Sequence, residues 1–515
     1  MKRLGRISGD MVHLERTLHF PLAILRQGPV IALQDSEMGE NLLALDDQRR
    51  WPWELLDDFR REFGLEFTPI FADSDVIMMA LNQTFDVAQT SAEQMLEGME
   101  ESQALTKELE EMGDLLDAED DAPVIRLVNT LISQALKDRA SDIHIEPFEH
   151  HVVVRFRIDG MLHPIVKPPK GVQAALSSRI KVMAHLDIAE KRHPQDGRFR
   201  VRIAGRDVDV RVSLLPTAFG ERVVMRLLDK GAKLLSLQEL GMSDLHLEMM
   251  RKVIAAPHGI VLVTGPTGSG KSTTLYAALM QVDRENRNVM TIEDPIEYQL
   301  AGVAQMQVRS KIGVNFATGL RAILRQDPDI VMIGEIRDLE TAEIAIQASL
   351  TGHLVFSTLH TNDALSAIAR LEDMGVEPYL LASSLVMVQA QRLVRRLCPH
   401  CKETEAVTAD VLRALDVPAY LFDGVSHIYA AQGCEQCMMT GYMGRLAIYE
   451  MVWVSNTLRE AIHEGEGLLK LRSIAQQDDM PTLRHDGARH IAAGLTTVDE
   501  VLRVSKQDVD VVDDL

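Results

Sequence analysis

The sequence has few cysteines, few aromatic residues and no long apolar run. Its four cysteines, in 515 residues, all fall between Cys398 and Cys437. That clustering excludes a disulfide framework spread over the chain and argues for one local metal site. Aromatic residues make up only 4%, too few for an extended base-stacking surface. The net charge of −22 lacks the basic balance that phosphate contacts ask of a nucleic-acid binder. No apolar run reaches the ~18 residues of a membrane-spanning helix. The basic start Met1–Arg6 is not followed by the apolar segment of a secretory signal. The expectation is a protein that stays in the cytoplasm, spans no membrane and binds no nucleic acid. There is no fixed-period repeat and no low-complexity tract. The length exceeds what one hydrophobic core serves, so several domains are expected.

Composition shifts mark the boundaries. Residues 1–85 hold short apolar runs such as Val30-Ile31-Ala32-Leu33 and form a first, N-terminal domain. Residues 86–121 hold thirteen acids against the single base Lys107. They carry over half of the net charge with little to bury, so they read as a solvated acidic linker. An amphipathic helix from Pro123 and a strand-rich stretch around one further helix make a small α+β domain over 122–235. Over 236–394, short apolar runs at Gly259–Thr264, Val289–Ile292, Ile330–Ile333 and Leu354–Leu359 alternate with helical segments, as buried parallel strands do. A cysteine-bearing segment covers 395–445 and a helical region 446–515. The fold class is α/β.

The segment Gly265-Pro266-Thr267-Gly268-Ser269-Gly270-Lys271-Ser272-Thr273 contains the full P-loop pattern between a strand and a helix. Its glycines let backbone N–H groups curl toward phosphate oxygens. Lys271 brings charge to the β and γ phosphates of ATP, Ser272 offers a hydroxyl to Mg²⁺, and the helix N-terminus adds its dipole. Hydrolysis also needs a carboxylate and a group that reads the γ-phosphate. In open α/β sheets the ligand lies beyond the carboxyl ends of the strands. Glu335 ends one strand there, and Glu293-Asp294-Pro295-Ile296-Glu297 ends another. Either Glu335 or Glu297 is the expected general base. His360 closes the strand Leu354–Leu359 at the same end and is the candidate γ-phosphate sensor. His353 lies roughly 23 Å away at the other end of a straight strand.

In the small domain, Arg198-Phe-Arg200-Val-Arg202 alternates arginine with apolar residues. Folded about Ala204-Gly205, it places Arg202 opposite Asp207, Arg200 opposite Asp209 and Arg198 opposite Arg211. A second turn at Ala218-Phe219 brings Arg211 opposite Arg226. Three arginines then share a face with no acid assigned to them, which suits an outside anion such as a triphosphate. Cys398-Pro-His-Cys401 and Cys434-Glu-Gln-Cys437 form two CxxC pairs with 32 residues between them. Four thiolates complete a closed structural Zn²⁺ site, and the intervening segment is expected to fold as a small subdomain.

Together these motifs resemble the secretion ATPase superfamily, which powers type II secretion, type IV pilus assembly and pilus retraction. The similarity rests on the P-loop, on Thr291–Glu297 as its Asp box, on Ile333–Asp338 as its Walker B, and on Thr351–His353 through His360–Asp363 as its His box. It also rests on Ala140–Pro147 and Arg155–Gly160, and it runs from about Asp121 to about Leu446. The resemblance implies a RecA-like ATPase domain preceded by a PAS-like α+β domain, with ATP bound between the two. It implies a homo-hexamer that docks on inner-membrane secretion platform proteins through its N-terminal domain. It also implies that Arg211 and Arg226 act as arginine fingers. The tetracysteine element speaks against the retraction branch, and secretion and assembly branches both can carry it. Leu115–Asn129 and the short first domain look most like the type II secretion branch, with type IV pilus assembly as the alternative. A nucleotide-binding adaptor is disfavoured by the retained Lys271, Ser272, Glu335 and Glu297, and a nucleic-acid translocase by the charge.

Overall fold

The computed structural model describes parts of residues 3–81 together with residues 123–203, 206–229 and 234–505. The acidic stretch expected as a linker and the Ala204-Gly205 loop lie outside the described residues. The chain divides into two compact units, Met1–Gly231 and Ala232–Leu515.

In the first unit, β1 (Arg3–Leu4), β2 (Val30–Gln34), β3 (Asn41–Asp46) and β4 (Thr68–Ala72) form one sheet in the order β1-β4-β3-β2. The apolar run Val30 to Leu33 is wholly buried with Leu43, Leu45 and Phe59. A second sheet consists of β5 (Asp142–Pro147), β6 (Val152–Ile158), β7 (Met161–Val166), β8 (Gln195–Ile203), β9 (Arg206–Thr217) and β10 (Gly220–Asp229). Its order is β7-β6-β5-β10-β9-β8 with every neighbour antiparallel. Alternation sends Val152, Val154, Phe156, Val210, Val212, Val223 and Met225 to one face. There they pack with Leu127, Val128 and Leu131 of the helix Pro123–Lys137 and with Leu176 and Ile180 of the helix Gln173–Met183. Each such side chain contributes about 1.5–3 kcal/mol when fully buried. The alternation that builds this core leaves Asp142, His144, Glu146, Arg157, Arg211 and Arg226 on the other face.

The second unit is built on a seven-stranded sheet. Its strands are β11 (Gly259–Thr264), β12 (Val289–Glu293), β13 (Ala304–Gln307), β14 (Ile330–Ile333), β15 (Leu354–Leu359), β16 (Leu385–Leu397) and β19 (Tyr442–Trp453). The order is β13-β12-β14-β15-β11-β16-β19, parallel throughout except for the antiparallel β19. Strands β11, β14 and β15 are buried at every residue, as expected of strands covered on both faces.

The sheet departs from the sequence-based boundaries at 394 and 445. Strand β16 runs past the first, and β19 spans the second and pairs with β16 from Tyr442 to Trp453. The cysteine segment is therefore an insertion between two strands of the core sheet. It holds its own two-stranded sheet, β17 (Glu403–Ala406) with β18 (His427–Ala430), and the helix Ala409–Leu415. Among the described residues four helices follow β19, from Asn456–His463 to Val498–Ser505. Among the described residues no helix is long and apolar enough to cross a membrane.

Candidate active site

Strand register brings the phosphate loop, Glu335 and His360 together at the carboxyl ends of the central strands β11, β14 and β15. Thr264 of β11 pairs with Leu359 of β15, so Gly265 and His360 leave the sheet side by side. Ile333 of β14 pairs with Ser357, which sets Glu335, two residues on, level with Leu359. The crossing is tied by Thr264 Oγ1, which accepts from the Thr361 amide at 2.8 Å.

The loop after β11 curls through Gly265, Gly268 and Gly270, all at positive φ, into the helix Lys271–Leu279. At Gly265 and Gly270 the conformation is needed and the space is closed as well. A Cβ on Gly265 would meet the Gln391 carbonyl oxygen at 2.5 Å, and one on Gly270 would meet Gln391 Nε2 at 2.8 Å. Lys271 is buried and its ammonium donates to the carbonyls of Gly265, at 2.6 Å, and Pro266, at 3.2 Å. Burial lowers its pKa to about 8; Glu335 opposes that shift and Arg392 adds to it. Ser269 Oγ is buried with no hydrogen-bond partner among the described residues, whereas Ser272 at the helix start is exposed. A cation without a paired carboxylate, an orphaned hydroxyl and a cradle that a Cβ would fill fit a bound phosphate chain.

Glu335 is mostly buried. It accepts from Arg337 at 2.5 Å and has His360 Nε2 at 3.4 Å. Burial and the charge of Lys271 lower the His360 pKa, against the opposing pull of Glu335. Asp338 accepts from the Thr341 amide at 2.8 Å and caps the helix Leu339–Leu350. His353 sits at the amino end of β15 with Nδ1 2.8 Å from the Ala348 carbonyl oxygen, a structural position remote from the phosphate loop. Glu293 is buried and accepts from Tyr276, from Thr291 at 2.5 Å and from Gln305 at 3.0 Å. Its carboxylate is thus held by side chains of the core. Glu297 is half-buried, with its amide donating to the Tyr276 hydroxyl at 3.3 Å.

Two residues near the loop were not singled out from the sequence. Gln391 Nε2 donates to the Ser269 carbonyl at 2.8 Å and its Oε1 accepts from Thr274 at 2.9 Å. Arg392 is buried and donates to the Asn362 carbonyl at 2.6 Å, linking the loop's support to the segment after His360. The available signal was Gln389 and Gln391, two residues apart directly after the apolar run Leu385–Val388.

In the first unit, both predicted arginine registers are found: Arg198 opposite Arg211, and Arg211 opposite Arg226. Arg200 and Arg202 pair with Asp209 and Asp207, each at 2.8 Å. The expectation of an arginine face without an acid is corrected. Arg226 Nε donates to Asp142 Oδ1 at 3.0 Å. Asp142 comes from β5, beyond the reach of a hairpin argument.

The cysteine sulfurs lie within 4.8 Å of one another. Three of their separations are 3.7, 3.8 and 3.9 Å. This is no disulfide geometry, but a tetrahedron with Zn–S of about 2.3 Å has edges of about 3.8 Å. Burial opposes ionisation of Cys437, yet the amides of Cys434 and Gly441, each 3.2 Å from its sulfur, hold the thiol down at about 6.

Residues 117–503 match the family model described as type II/IV secretion system protein. The chain belongs to this family. As a type II/IV secretion system protein it is a secretion ATPase, an ATP hydrolase. It is 57% identical over 405 residues to type II secretion system protein E of Klebsiella pneumoniae, covering 79% of this chain and 80% of that one. With the protein of the same description from Aeromonas hydrophila it shares 51% over 458 residues, covering 88% and 91%. Among solved structures, the pilus retraction motor PilT with bound ADP matches 74% of this chain and 97% of that chain, at a TM-score of 0.50 and 28% identity. The Legionella pneumophila ATPase DotB, at 21% identity and a TM-score of 0.55 over 76% of this chain and 98% of its own, shares the fold.

Proposed function

We propose that this chain is the cytoplasmic, hexameric ATPase that powers a type II secretion system. The observation that carries the reading is the convergence of Lys271, Glu335 and His360 in a chain that is 57% identical over 405 residues to type II secretion system protein E of Klebsiella pneumoniae. ATP with Mg²⁺ occupies the loop 265–273, with Ser272 on the metal. Glu335 acts as the general base toward water, and His360 reads the γ-phosphate. Arg211 and Arg226 stabilise charge on the transferring phosphoryl group. The N-terminal domain docks on inner-membrane platform proteins and keeps the chain peripheral to that membrane. The six segments drawn from composition serve as its working domain plan, with the core sheet extended to Trp453. In a bacterium whose own copy is replaced by the Glu335→Gln variant, exported proteins should accumulate in the periplasm while surface pili assemble normally. Lost pili with intact secretion would place the chain in the pilus assembly branch.

Purified Glu335→Gln should bind ATP with near wild-type affinity and lose hydrolysis, because the substitution keeps shape and removes charge. Glu297→Gln should retain much more turnover. If single-turnover assays show the reverse, the general base lies in the Asp box.

The four cysteines are proposed to hold one Zn²⁺ as a closed structural site that takes no part in catalysis. Metal analysis of reduced, purified protein should give one zinc per chain. Cys→Ser at any of the four should lower it and increase proteolysis within 398–437, leaving ATP affinity unchanged. Zinc-free protein with the same proteolytic resistance would overturn the assignment.

A further inference from the structure

One row of side chains crosses the small domain's polar face through five strands. In register it reads Arg157 on β6, Asp142 on β5, Arg226 on β10, Arg211 on β9 and Arg198 on β8. Four cations and one anion share this row. Arginines directly opposite each other repel, and a long side chain with about 2 kcal/mol of rotamer entropy turns away unless something holds it.

Asp142 provides that hold for Arg226. Its carboxylate is 7% exposed while the Arg226 side chain is 53% exposed, so the acid sits at the base of the row and the guanidinium rises from it. The carboxylate is itself fixed. Ser141 Oγ donates to Oδ2 at 2.7 Å, and Arg157 Nε lies 3.8 Å from that oxygen. Oδ1 is left to Arg226. The bond uses Arg226 Nε alone, and its two terminal nitrogens have no other partner among the described residues. Arg202 differs. It grips Asp207 with Nε at 2.8 Å and a terminal nitrogen at 3.3 Å, which occupies its fork. A guanidinium held by Nε only is oriented, with the edge that binds phosphate bidentately still presented.

We propose that Asp142 is a positioning residue for the reaction: it orients Arg226 so that its terminal nitrogens meet the phosphoryl group in the transition state. The proposal rests on Arg226 serving as a phosphate-stabilising finger. Asp142 touches no nucleotide and acts only through Arg226.

A double-mutant cycle on full-length, assembled protein tests this. Arg226→Ala, Asp142→Asn and the double variant are compared in kcat, in KM for ATP and in thermal unfolding midpoint. Asp142→Asn should lower kcat on the order of 10- to 100-fold, the cost of misplacing a catalytic group by about 1 Å, with KM and midpoint unchanged. In the Arg226→Ala background the same substitution should change kcat by no more than about two-fold, since residues acting as one unit are not additive. Independent losses that multiply, or wild-type kcat in Asp142→Asn, would overturn the proposal. Wild-type kcat in Arg226→Ala would instead remove the finger reading on which it rests. Should Asp142→Asn not assemble, the cycle is run with Asp142→Glu, which keeps the charge and shifts the carboxylate by one methylene. Absence of coupling to Arg226→Ala is again the contrary result.

Discussion

Lys271→Ala is expected to abolish ATP hydrolysis, with a loss of at least about 10³-fold in turnover. The ammonium is buried, and among the described residues it is satisfied only by the carbonyls of Gly265 and Pro266. Carbonyl oxygens do not neutralise a charge, and burial has already lowered its pKa to about 8. A phosphate chain in the loop would supply the missing anion and draw the lysine onto the β and γ oxygens. Removing the side chain removes that charge both from the bound nucleotide and from the transition state. The sheet beneath should be unaffected, because β11 is held by β15 and β16 and the loop by Gln391. Steady-state hydrolysis with an unchanged circular dichroism spectrum checks this. Near-wild-type turnover would reject the loop as the phosphate site.

Arg211→Ala and Arg226→Ala should each cut hydrolysis by about 10³-fold, the low end for an arginine finger. The small domain's core lies on the opposite face of its sheet, among Val210, Val212 and Met225, so neither truncation opens a cavity. Removing one of two facing arginines also relieves repulsion across β9 and β10. Stability should therefore hold or rise in Arg211→Ala while catalysis falls, a combination that a structural role would not produce. Arg226→Ala also takes a partner from the buried Asp142 carboxylate, which offsets the relieved repulsion. If both variants hydrolyse ATP normally within intact oligomers, the arginines are surface charge.

What the sequence made legible was local. The phosphate loop is contiguous, and its glycines, lysine and serine state their geometry within nine residues. The registers of β8, β9 and β10 follow from two short turns and the alternation of charge. The acid beside Arg226 was not legible, because Asp142 lies 84 residues away in sequence and reaches β10 only through an antiparallel pairing that no turn specifies. Gln391, 122 residues from Ser269, escaped for the same reason. Glu293 read as a strand-end acid but shares the face of Thr291, and the hydroxyls of Thr291 and Tyr276 satisfy it inside the core. The cysteine segment read as a separate module after the core, because β19 returns to the sheet only beyond it.

The measurement bearing most directly on the proposed ring motor is Mg²⁺-dependent ATP turnover per chain as a function of protein concentration, read beside mass in solution. Turnover per chain should be low for the monomer, rise as the hexamer assembles and then level off, with Lys271→Ala flat at the baseline throughout. A turnover per chain that stays constant from monomer to ring, or that Lys271→Ala reproduces, would contradict the account.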